Sequence, residues 1–520
     1  MKRTPKIISL FNMCFGILFC FLWIEMLFFN NSNNLFHPIK QICFALVWVC
    51  ILAVSMLVMK LMANKFSDFF KAHFKGVLYG SMAILFLLQI LFVYCTSTVI
   101  GWDCNNLITP ALADEIGSYN TYFSQYPHNL FLLLIFKGLG NVFKWLGVAN
   151  MWFAYSVFNT VMVDVAILFL VKTSALISSK KSAFITLFAA VLFLGFTPYL
   201  IVPYTDTLSM PFIIGGFYFF CHIFKNRERG ERKLFPYICF PFCLLIGFFI
   251  KPTTVILLIA IGIIFLCYHF SDILEKGTAR KSYLKLTGYF VGCGLFIFIG
   301  FKGFHSYVDT MDMFNLNRNL SVPMTHYLMM GTNILETETG YYYGGFNMDD
   351  IGITMSQTNP EDAKAANLTE YKRRMKEFGV LGYFDFLNKK ARQVTSEGDF
   401  YWGDEGSFAD WSQVGKNVIT EFVYPNGTYY RIYTYMLQGI WILVFFGVAF
   451  SPFLQKREKE NELYTIVRCG ILGSLLFILI FEGRSRYLIN YLPFYVLLFS
   501  WGLEQILSLI RKPFLNDKGQ

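Results

Sequence analysis

Charged residues are scarce in this chain of 520 residues, because Asp, Glu, Lys and Arg together make up only 15% of it. A soluble domain usually keeps about a quarter of its residues charged. The shortage excludes a water-facing globule for most of the sequence. Apolar runs near the ~20 residues that a bilayer crossing requires recur from end to end. Since backbone polar groups in hydrocarbon must be paired internally, these runs predict an all-α polytopic membrane protein, a bundle of about 12–13 transmembrane helices.

The sequence also lacks a disulfide framework and any spacing typical of zinc ligands. It has 12 cysteines, and all but Cys104 fall within or beside apolar runs, where a cysteine acts as a small core hydrophobe. The formal net charge of +10 does not indicate nucleic acid as a partner. The basic residues lie in short loops between apolar runs, which is the positive-inside pattern.

Basic flanks orient the predicted spans. Lysines and arginines cluster after every second span, and both chain ends, with Lys2 and Arg511, fall on the same side as these clusters. This side is predicted to be cytoplasmic. The opposite side then receives residues 100–128 and 305–431. The predicted spans are 7–29, 41–62, 77–99, 148–171, 182–200, 207–224, 236–251, 252–270, 286–304, 432–454, 463–481 and 487–508.

Residues 129–146 are apolar enough to cross the bilayer, but a crossing there would reverse the side of every later loop. Lys137 and Lys144 are seven residues apart and would share one face of a helix. The segment is therefore predicted to be an interfacial or half-inserted helix.

Three regions follow from this topology. Residues 1–304 form a transmembrane bundle with a catalytic first outer loop at 100–128. Residues 305–431 form a soluble extracytoplasmic domain of mixed, mainly helical structure, and 432–520 return to the membrane. Residues 305–430 hold 17 of the 34 acidic residues against 10 basic ones, as a water-facing domain would.

One helix of this domain has clear end signals. Asn359 is placed as a cap, Pro360 stands in the first turn, and acidic residues follow. The pattern predicts a helix that runs to Phe378 and stops at Gly379.

Polar side chains with chemical potential gather on the outer side. Asp103 follows the third span, Asp206 lies in a short turn between spans, and Lys251 interrupts an apolar stretch. Arg484 and Arg486 stand at a span end. A carboxylate can accept a proton from an attacking hydroxyl, and cations can hold a lipid phosphate as it leaves. These residue types predict a site for phosphate-linked transfer.

Each of these residues also has a purely structural interpretation. Arg484 and Arg486 would suit snorkelling to lipid headgroups, and Asp206 would suit capping of turn amides. His128 and His326 are as compatible with hydrogen-bonded structural histidines.

Seven short motifs lie in order along the chain, all on the predicted outer side. They are Gly-Trp-Asp at 101–103, Tyr-Pro-His-Asn at 126–129, Pro-Tyr-Thr-Asp-Thr at 203–207, Lys-Pro at 251–252, His-Tyr-Leu-Met-Met-Gly at 326–331, Tyr-Trp-Gly at 401–403 and Glu-x-Arg-x-Arg-Tyr-Leu at 482–488. In this arrangement the chain resembles the GT-C superfamily of polyprenyl-phosphate-sugar-dependent glycosyltransferases. It is most similar to the family-39-like (protein-mannosyltransferase-like) membrane proteins of Gram-positive bacteria. The motifs span most of the chain.

The resemblance implies a GT-C-like helical bundle in a bacterial plasma membrane with its active site facing outward. It implies inverting transfer of a sugar from a lipid-phosphate donor to an acceptor outside the cytoplasm. The family's first-loop aspartate serves as catalytic base or metal ligand, and Asp103 matches its position. Some members bind a divalent cation, such as Mg²⁺ or Mn²⁺, and others need none; Asp103 and Asp206 are the candidate ligands here. The first outer loop lacks an Asp-x-Asp motif, since Asp114 and Glu115 are adjacent.

The leading hypothesis is a hexosyltransferase that uses an undecaprenyl-phosphate-linked sugar to decorate a cell-envelope glycopolymer. Asp103 would be the base, and Arg484, Arg486 and Lys251 would hold the donor phosphate. The remaining candidates would shape the sugar and acceptor pocket, namely Asp206, Tyr204, His326, His128 and Asn129. The expected partners are the lipid donor, the polymer acceptor, membrane lipid and a separate enzyme that charges the donor, with no role for nucleic acid.

Two other enzyme or transport classes remain open. A polymer ligase or phosphotransferase would use the same cationic site. A lipid-glycan transporter would carry inverted repeats, broken helices and polar groups near mid-membrane. A scaffold would explain the acidic domain but not cations placed beside the spans.

Overall fold

A computed structural model describes residues 5–28, 38–231, 233–276, 281–337, 340–410, 414–454 and 462–510 of the chain. Helices dominate this part, and its only regular strands form one hairpin. The protein is an all-α polytopic membrane protein, which confirms the predicted class. Lys2 and Arg511, used to orient the chain ends, lie outside the described residues.

The helices follow the apolar runs in chain order. Up to residue 308 they are α1 Lys6–Phe28, α2 Pro38–Lys65, α3 Ser67–Ala72, α4 Phe74–Thr96, α5 Asp103–Leu112, α6 Tyr119–Gln125, α7 Leu130–Trp145, α8 Met151–Ile177, α9 Lys180–Phe193, α10 Thr205–Glu228, α11 Phe235–Ile250, α12 Val255–Lys276 and α13 Lys281–Val308. The domain contains α14 Met324–Met330, β1 Ile334–Thr337, β2 Gly340–Tyr343, α15 Met348–Met355, α16 Pro360–Thr395, α17 Trp402–Glu405 and α18 Val418–Val423. The chain then returns as α19 Tyr430–Phe450, α20 Glu462–Ile480 and α21 Leu492–Ile510. In the antiparallel hairpin, Ile334 stands opposite Tyr343 and Thr337 opposite Gly340.

Within the described residues, nine helices are long and apolar enough to cross a membrane. Each coincides with a predicted span. They are Lys6–Phe28, Ile42–Met62, Phe74–Thr96, Met151–Ile177, Thr205–Glu228, Pro252–Ser271, Lys285–Val308, Tyr430–Phe450 and Glu462–Ile480.

Three predicted spans differ from the helices observed there. The span 182–200 contains α9 with only 14 residues, and 236–251 contains α11 with 16. At ~1.5 Å per residue these helices reach about 21 and 24 Å, less than the ~30 Å hydrocarbon core. The span 487–508 starts as a 3-10 helix, Ser485–Tyr491, and becomes α-helical only at Leu492.

The domain lies at one end of the bundle, named here the domain end. The first long loop, with α5, α6 and α7, lies at the same end, because its start pairs with the domain. Gly101 N donates to Phe408 O at 3.0 Å, and Asp410 N donates to Val99 O at 2.9 Å. This pairing joins the loop to the domain just before Asp103.

Helix α7 covers the predicted interfacial segment. Its 16 residues reach about 24 Å, so it is too short for an upright crossing of a ~30 Å core. Lys144 Nζ donates to Leu112 O and Lys137 Nζ to Ala113 O, both at 2.7 Å. The two lysines therefore share the face that covers the end of α5, which confirms the predicted spacing.

Helix α16 confirms both predicted helix ends, because it consists of two helical segments joined at Gly379. Asn359 Oδ1 accepts from the amides of Glu361 and Asp362, both at 3.0 Å, as a cap should. Gly379 has φ +59° and breaks the helix after Phe378, as predicted. A second helical segment, not predicted from the sequence, follows the break over residues 380–395.

Candidate active site at the domain end

Five charged side chains from four parts of the chain form one ion-pair cluster. Its members are Asp206 in the first turn of α10, Lys251 at the end of α11, Glu405 at the end of α17, and Arg484 and Arg486 around Ser485. Four of the five were predicted site residues. The structure thus brings all three predicted phosphate holders together at the domain end.

The turn before Asp206 is held by a single buried amide. Asn159 on α8 donates to the carbonyls of Tyr199, Leu200 and Val202 at 2.8, 2.9 and 3.2 Å. The hydroxyl of Thr207 donates back to Asn159 Oδ1 at 2.6 Å. This network ties α8 to the turn at which α10 begins.

Asp206 is buried, and its carboxylate pairs with two cations. Lys251 Nζ donates to its Oδ1, and Arg486 Nε lies 3.3 Å from its Oδ2. Pro252 follows Lys251 and disfavours helical backbone there, which ends α11 with the ammonium group at the bundle mouth.

Arg486 is the most enclosed cation of the cluster, with a side chain only 4% exposed. Its guanidinium lies 2.9 Å from Glu405 Oε1 and 4.2 Å above the ring of Trp102, with Tyr204 at 5.5 Å. The Nε and Nη1 atoms are within ion-pair distance of carboxylates but are not aligned for hydrogen bonds. Charge and ring faces therefore hold this side chain.

Arg484 is the more accessible arginine, with its side chain 20% exposed. Its Nη1 donates to Glu405 Oε1 at 3.0 Å, and its Nε lies 3.6 Å from Glu482. The ring of Tyr401 lies 5.3 Å from the guanidinium carbon. Ser485 lies between the two arginines, and its hydroxyl donates to Glu397 at 2.8 Å. This hydrogen bond holds the segment from which both arginine side chains extend.

Asp103 lies beside this cluster in a network of its own. The hydroxyls of Tyr122 and Tyr204 donate to its two carboxylate oxygens at 3.0 and 3.2 Å. Asn129 Nδ2 donates to the Tyr122 hydroxyl at 2.8 Å. Burial, reinforced by the Asp103 charge, raises the pKa of both Tyr122 and Tyr204, so both phenols remain donors. Each carboxylate oxygen keeps a further lone pair free to accept a proton.

Further aromatic side chains lie near Asp103 and the ion-pair cluster. Burial, together with the charges of Asp103 and Glu482, raises the pKa of Tyr126 to about 12. Both carboxylates therefore act on one phenol. Tyr487 stacks under Lys251, whose ammonium group lies 4.9 Å from the ring, and its hydroxyl donates to Glu482 at 3.0 Å.

The two predicted histidines have different surroundings. The His128 side chain is solvent-exposed, yet the surrounding protein lowers its pKa, and its ring lies 6.2 Å from that of Tyr126. His326 is buried inside the domain, where its Nδ1 pairs with the Thr354 hydroxyl at 2.6 Å. The structure does not bring His326 into the ion-pair cluster.

A metal centre at Asp103 and Asp206 has no third His, Cys, Asp or Glu ligand among the described residues. No group of three or more His, Cys, Asp or Glu side chains there could hold a metal ion. Asp206 is already neutralised by Lys251 and Arg486. The carboxylate of Asp103 accepts two phenol hydrogen bonds.

A family model described as "conserved hypothetical integral membrane protein" matches residues 2–506. The chain belongs to this family. No curated protein and no solved structure matches the chain. Membership supports a multi-pass location in a membrane, and the family's description names no activity or substrate.

In this integral membrane protein, one residue of the ion-pair cluster was missed by sequence reasoning. Glu405 is buried and bridges both arginines through one oxygen. Burial raises its pKa, and Arg486 and Arg484 oppose that rise. The sequence offered one signal for Glu405, because the Tyr-Trp-Gly motif at 401–403 ends two residues before it.

Backbone conformation marks the same segment. Phe400 and Tyr401 are consecutive non-glycine residues with positive φ, +53° and +70°. Such conformations are costly and gather at functional sites. Here they turn the chain so that α17 presents Glu405 to the arginines.

The ion-pair cluster and its neighbour Glu482 are electrically balanced. Lys251, Arg484 and Arg486 face Asp206, Glu405 and Glu482. An anionic ligand would therefore compete with carboxylates for the cations. The exposed fraction of Arg484, 20% against 4% for Arg486, makes Arg484 the arginine better placed to reach a ligand.

Proposed function

We propose that this protein is an inverting glycosyltransferase of GT-C type. It would move a sugar from a polyprenyl-phosphate donor to an extracytoplasmic cell-envelope glycopolymer. The observation that carries the proposal is that one residue links a carboxylate to the cation cluster. Tyr204 donates to Asp103 at 3.2 Å, and its ring lies 5.5 Å from the guanidinium carbon of Arg486, which shares Glu405 with Arg484. A base and a phosphate-binding group beside each other are what such a displacement requires.

The chemistry divides between the base, Asp103, and the cations, Lys251 and Arg484. Asp103 takes the proton of an acceptor hydroxyl while that oxygen attacks the anomeric carbon of the sugar. The bond between this carbon and the donor's phosphate oxygen breaks, and its electron pair stays on the phosphate. Lys251 and Arg484 stabilise the added negative charge. The attack from the opposite face inverts the anomeric centre.

Roles within the site follow from exposure. Arg486 positions the mouth by joining Asp206 to Glu405, whereas Arg484 contacts the phosphate. Tyr126 and Tyr487 offer ring faces to the sugar. His128 and Asn129, next to the tyrosines around Asp103, line the acceptor side. The polyprenyl chain stays in the bilayer, and a separate enzyme supplies the charged donor.

The direct experiment supplies radiolabelled polyprenyl-phosphate-hexose to purified protein in nanodiscs, with crude envelope polymer as acceptor. The proposal predicts label in the polymer and its loss in Asp103→Asn at unchanged expression. Asp114→Asn is the matched control, because Asp114 is an exposed acid of the same loop. Full activity in Asp103→Asn would remove the assigned base. A parallel arm with EDTA measures the metal requirement.

One observation favours the transporter alternative. Asp164 on α8 and Gln89 on α4 are buried within membrane-crossing helices, where polar groups often mark a path for ions or substrate. If no donor sugar were transferred but labelled lipid crossed the bilayer, this alternative would replace catalysis. Loss of that movement in Asp164→Asn would then locate the path.

A further inference from the structure

The second half of α16, residues 380–395, carries an exposed apolar face. Val380, Leu381 and Phe384 are 75%, 84% and 65% exposed. At ~100° per residue these three side chains fall within an arc of about 100°. Contiguous apolar groups on the surface of a water-facing domain mark a contact with something else.

The break at Gly379 gives this half-helix its own direction. Phe378, before the break, packs on Phe386 beyond it with ring centroids 4.9 Å apart, and on Tyr383 at 6.2 Å. Phe386 is buried. The change of direction is therefore fixed by packing.

Contacts with the bundle show at what depth along the transmembrane helices the half-helix lies. Trp23 Nε1 on α1 donates to Ile442 O on α19 at 3.1 Å, which places these two residues at similar depth. Near the far end of the half-helix, Thr395 O accepts from Trp441 Nε1 at 2.7 Å. Thr395 is therefore close to the same depth.

Two further contacts lie at about this level. Asn388 Nδ2 donates to Glu25 on α1 at 2.9 Å, and Glu25 is only two residues beyond Trp23. Lys390 Nζ donates to Leu479 O and Phe481 O at the domain end of α20, at 3.2 and 2.5 Å. The seven steps from residue 388 to residue 395 rise about 10 Å along the helix axis, but Trp23 to Glu25 spans only about 3 Å of α1. The half-helix thus runs across the bundle, close to the membrane plane.

The apolar face points to the side of α1. Asn388 lies four residues after Phe384 and seven after Leu381, so the three share one face. This face meets α1 at Asn388 and continues beyond it. At the same level α1 exposes Ile24 and Phe28, which are 47% and 55% accessible and face lipid in a membrane.

We propose that residues 380–395 form an interfacial helix whose Val380, Leu381 and Phe384 insert into the bilayer leaflet at the domain end. Asp385 and Lys389 pair at 2.7 Å on the adjoining arc and lie at the headgroups. The lipid surface then fixes the height of the segment that follows, which carries Glu397 to Ser485 and Glu405 into the ion-pair cluster.

The test uses the full chain in nanodiscs with a nitroxide on Leu381→Cys, and the label's collisions with oxygen and with a water-soluble nickel chelate are measured. Collisions with oxygen should dominate for labels at Leu381→Cys and at Phe384→Cys. Collisions with the chelate should dominate for a label at Lys376→Cys, on the exposed surface before the break. At Asp385→Cys the share of collisions with oxygen should be lower than at Leu381→Cys. Parent protein treated with the same label gives the background from native cysteines.

Two results would overturn the proposal. Chelate access at Leu381 equal to that at Lys376 would place the face in water. Shielding of Leu381 from both reagents would mean that protein, such as a second copy of the chain, covers it. Because these side chains are exposed, the substitutions leave the core intact, and unchanged melting confirms this. None of the readings depends on transferase activity.

Discussion

Tyr204 connects the two halves of the site through two different parts of one side chain. Its hydroxyl donates to Asp103 at 3.2 Å, and its ring lies 5.5 Å from the guanidinium carbon of Arg486 and 5.1 Å from the ring of Trp102. A single residue thus orients the proposed base and encloses a cation. The two functions are separable by substitution.

Tyr204→Phe should keep the ring contacts and remove the hydrogen bond to Asp103. A net value of about 1 kcal/mol for that bond predicts a kcat about fivefold lower, with donor KM nearly unchanged. Steady-state transfer assays measure both constants. Tyr495→Phe is the matched control, because the buried Tyr495 hydroxyl has no hydrogen-bond partner among the described residues. A Tyr204→Phe variant as active as Tyr495→Phe would show that the hydroxyl does not orient the base.

His326 makes the domain sensitive to acid. Burial lowers its pKa to about 4, although Asp350 opposes the shift, whereas an unfolded histidine titrates near ~6.5. The unfolded chain therefore binds the proton first as pH falls. The contribution of neutral His326 to the free energy of unfolding is fully present above pH ~6.5. It is lost as pH falls through about 4, by up to ~3 kcal/mol.

The check is the melting temperature of wild type and His326→Gln between pH 7 and pH 4. Wild type should lose stability more steeply, since Gln keeps a partner for Thr354 without titrating. Parallel pH profiles would contradict the assignment. Transfer activity of His326→Gln at neutral pH should stay near wild type, because the side chain lies outside the ion-pair cluster.

At the scale of elements, the loop after α16 depends on close backbone approach. A Cβ on Gly398 would lie 2.6 Å from Leu437 O and 2.7 Å from the Gln438 Cα on α19. Neither is the end of a flexible side chain. The N–H of Gly398 also donates to Gln438 Oε1 at 2.8 Å. This contact seats the loop that carries Glu397 and Glu405.

Gly398→Ala should therefore displace the loop, reduce transfer strongly and lower the melting temperature. Gly352→Ala on α15 is the control, since no described residue comes within 4 Å of a Cβ built there. It should be neutral or stabilise by up to ~1 kcal/mol. Equal effects of the two substitutions on activity and melting would show that the approach to α19 is not required.

Lys390 secures the neighbouring element. Its buried ammonium group donates to Gly331 O at 2.8 Å as well as to the two carbonyls at the end of α20. Gly344 and Gly483 leave the space it fills, because a Cβ on either would lie within 2.7 Å of the lysine side chain. Helices α14, α16 and α20 are thereby joined next to the segment that carries Arg484.

At the scale of the whole molecule, all the proposed chemistry lies at one end. The basic loops predict that this end faces away from the cytoplasm. An impermeant maleimide should therefore label Lys364→Cys, on the domain, in intact cells. Glu228→Cys, exposed at the opposite end of α10, should react only after permeabilisation. The reverse pattern would place the site in the cytoplasm and exclude an extracytoplasmic acceptor.

Much of this architecture was predictable from local patterns. Hydrophobic length located nine spans to within a few residues, since hydrocarbon allows few alternatives to a helix. Asn359 and Gly379 marked helix boundaries because capping and positive φ are short-range effects. The alternation of basic loops was enough to place Asp206, Lys251 and Arg484 at one end of the bundle.

The remaining features needed the tertiary structure. Glu405 meets Arg484 from 79 residues away, and only the seating of α17 decides that meeting. His326 turns into the domain, and residues 380–395 turn along the membrane, because side-chain packing sets the rotation of a short helix. The sequence by itself determined what crosses the membrane and which polar groups share an end. Their pairing depended on distances between helices, which no local pattern encodes.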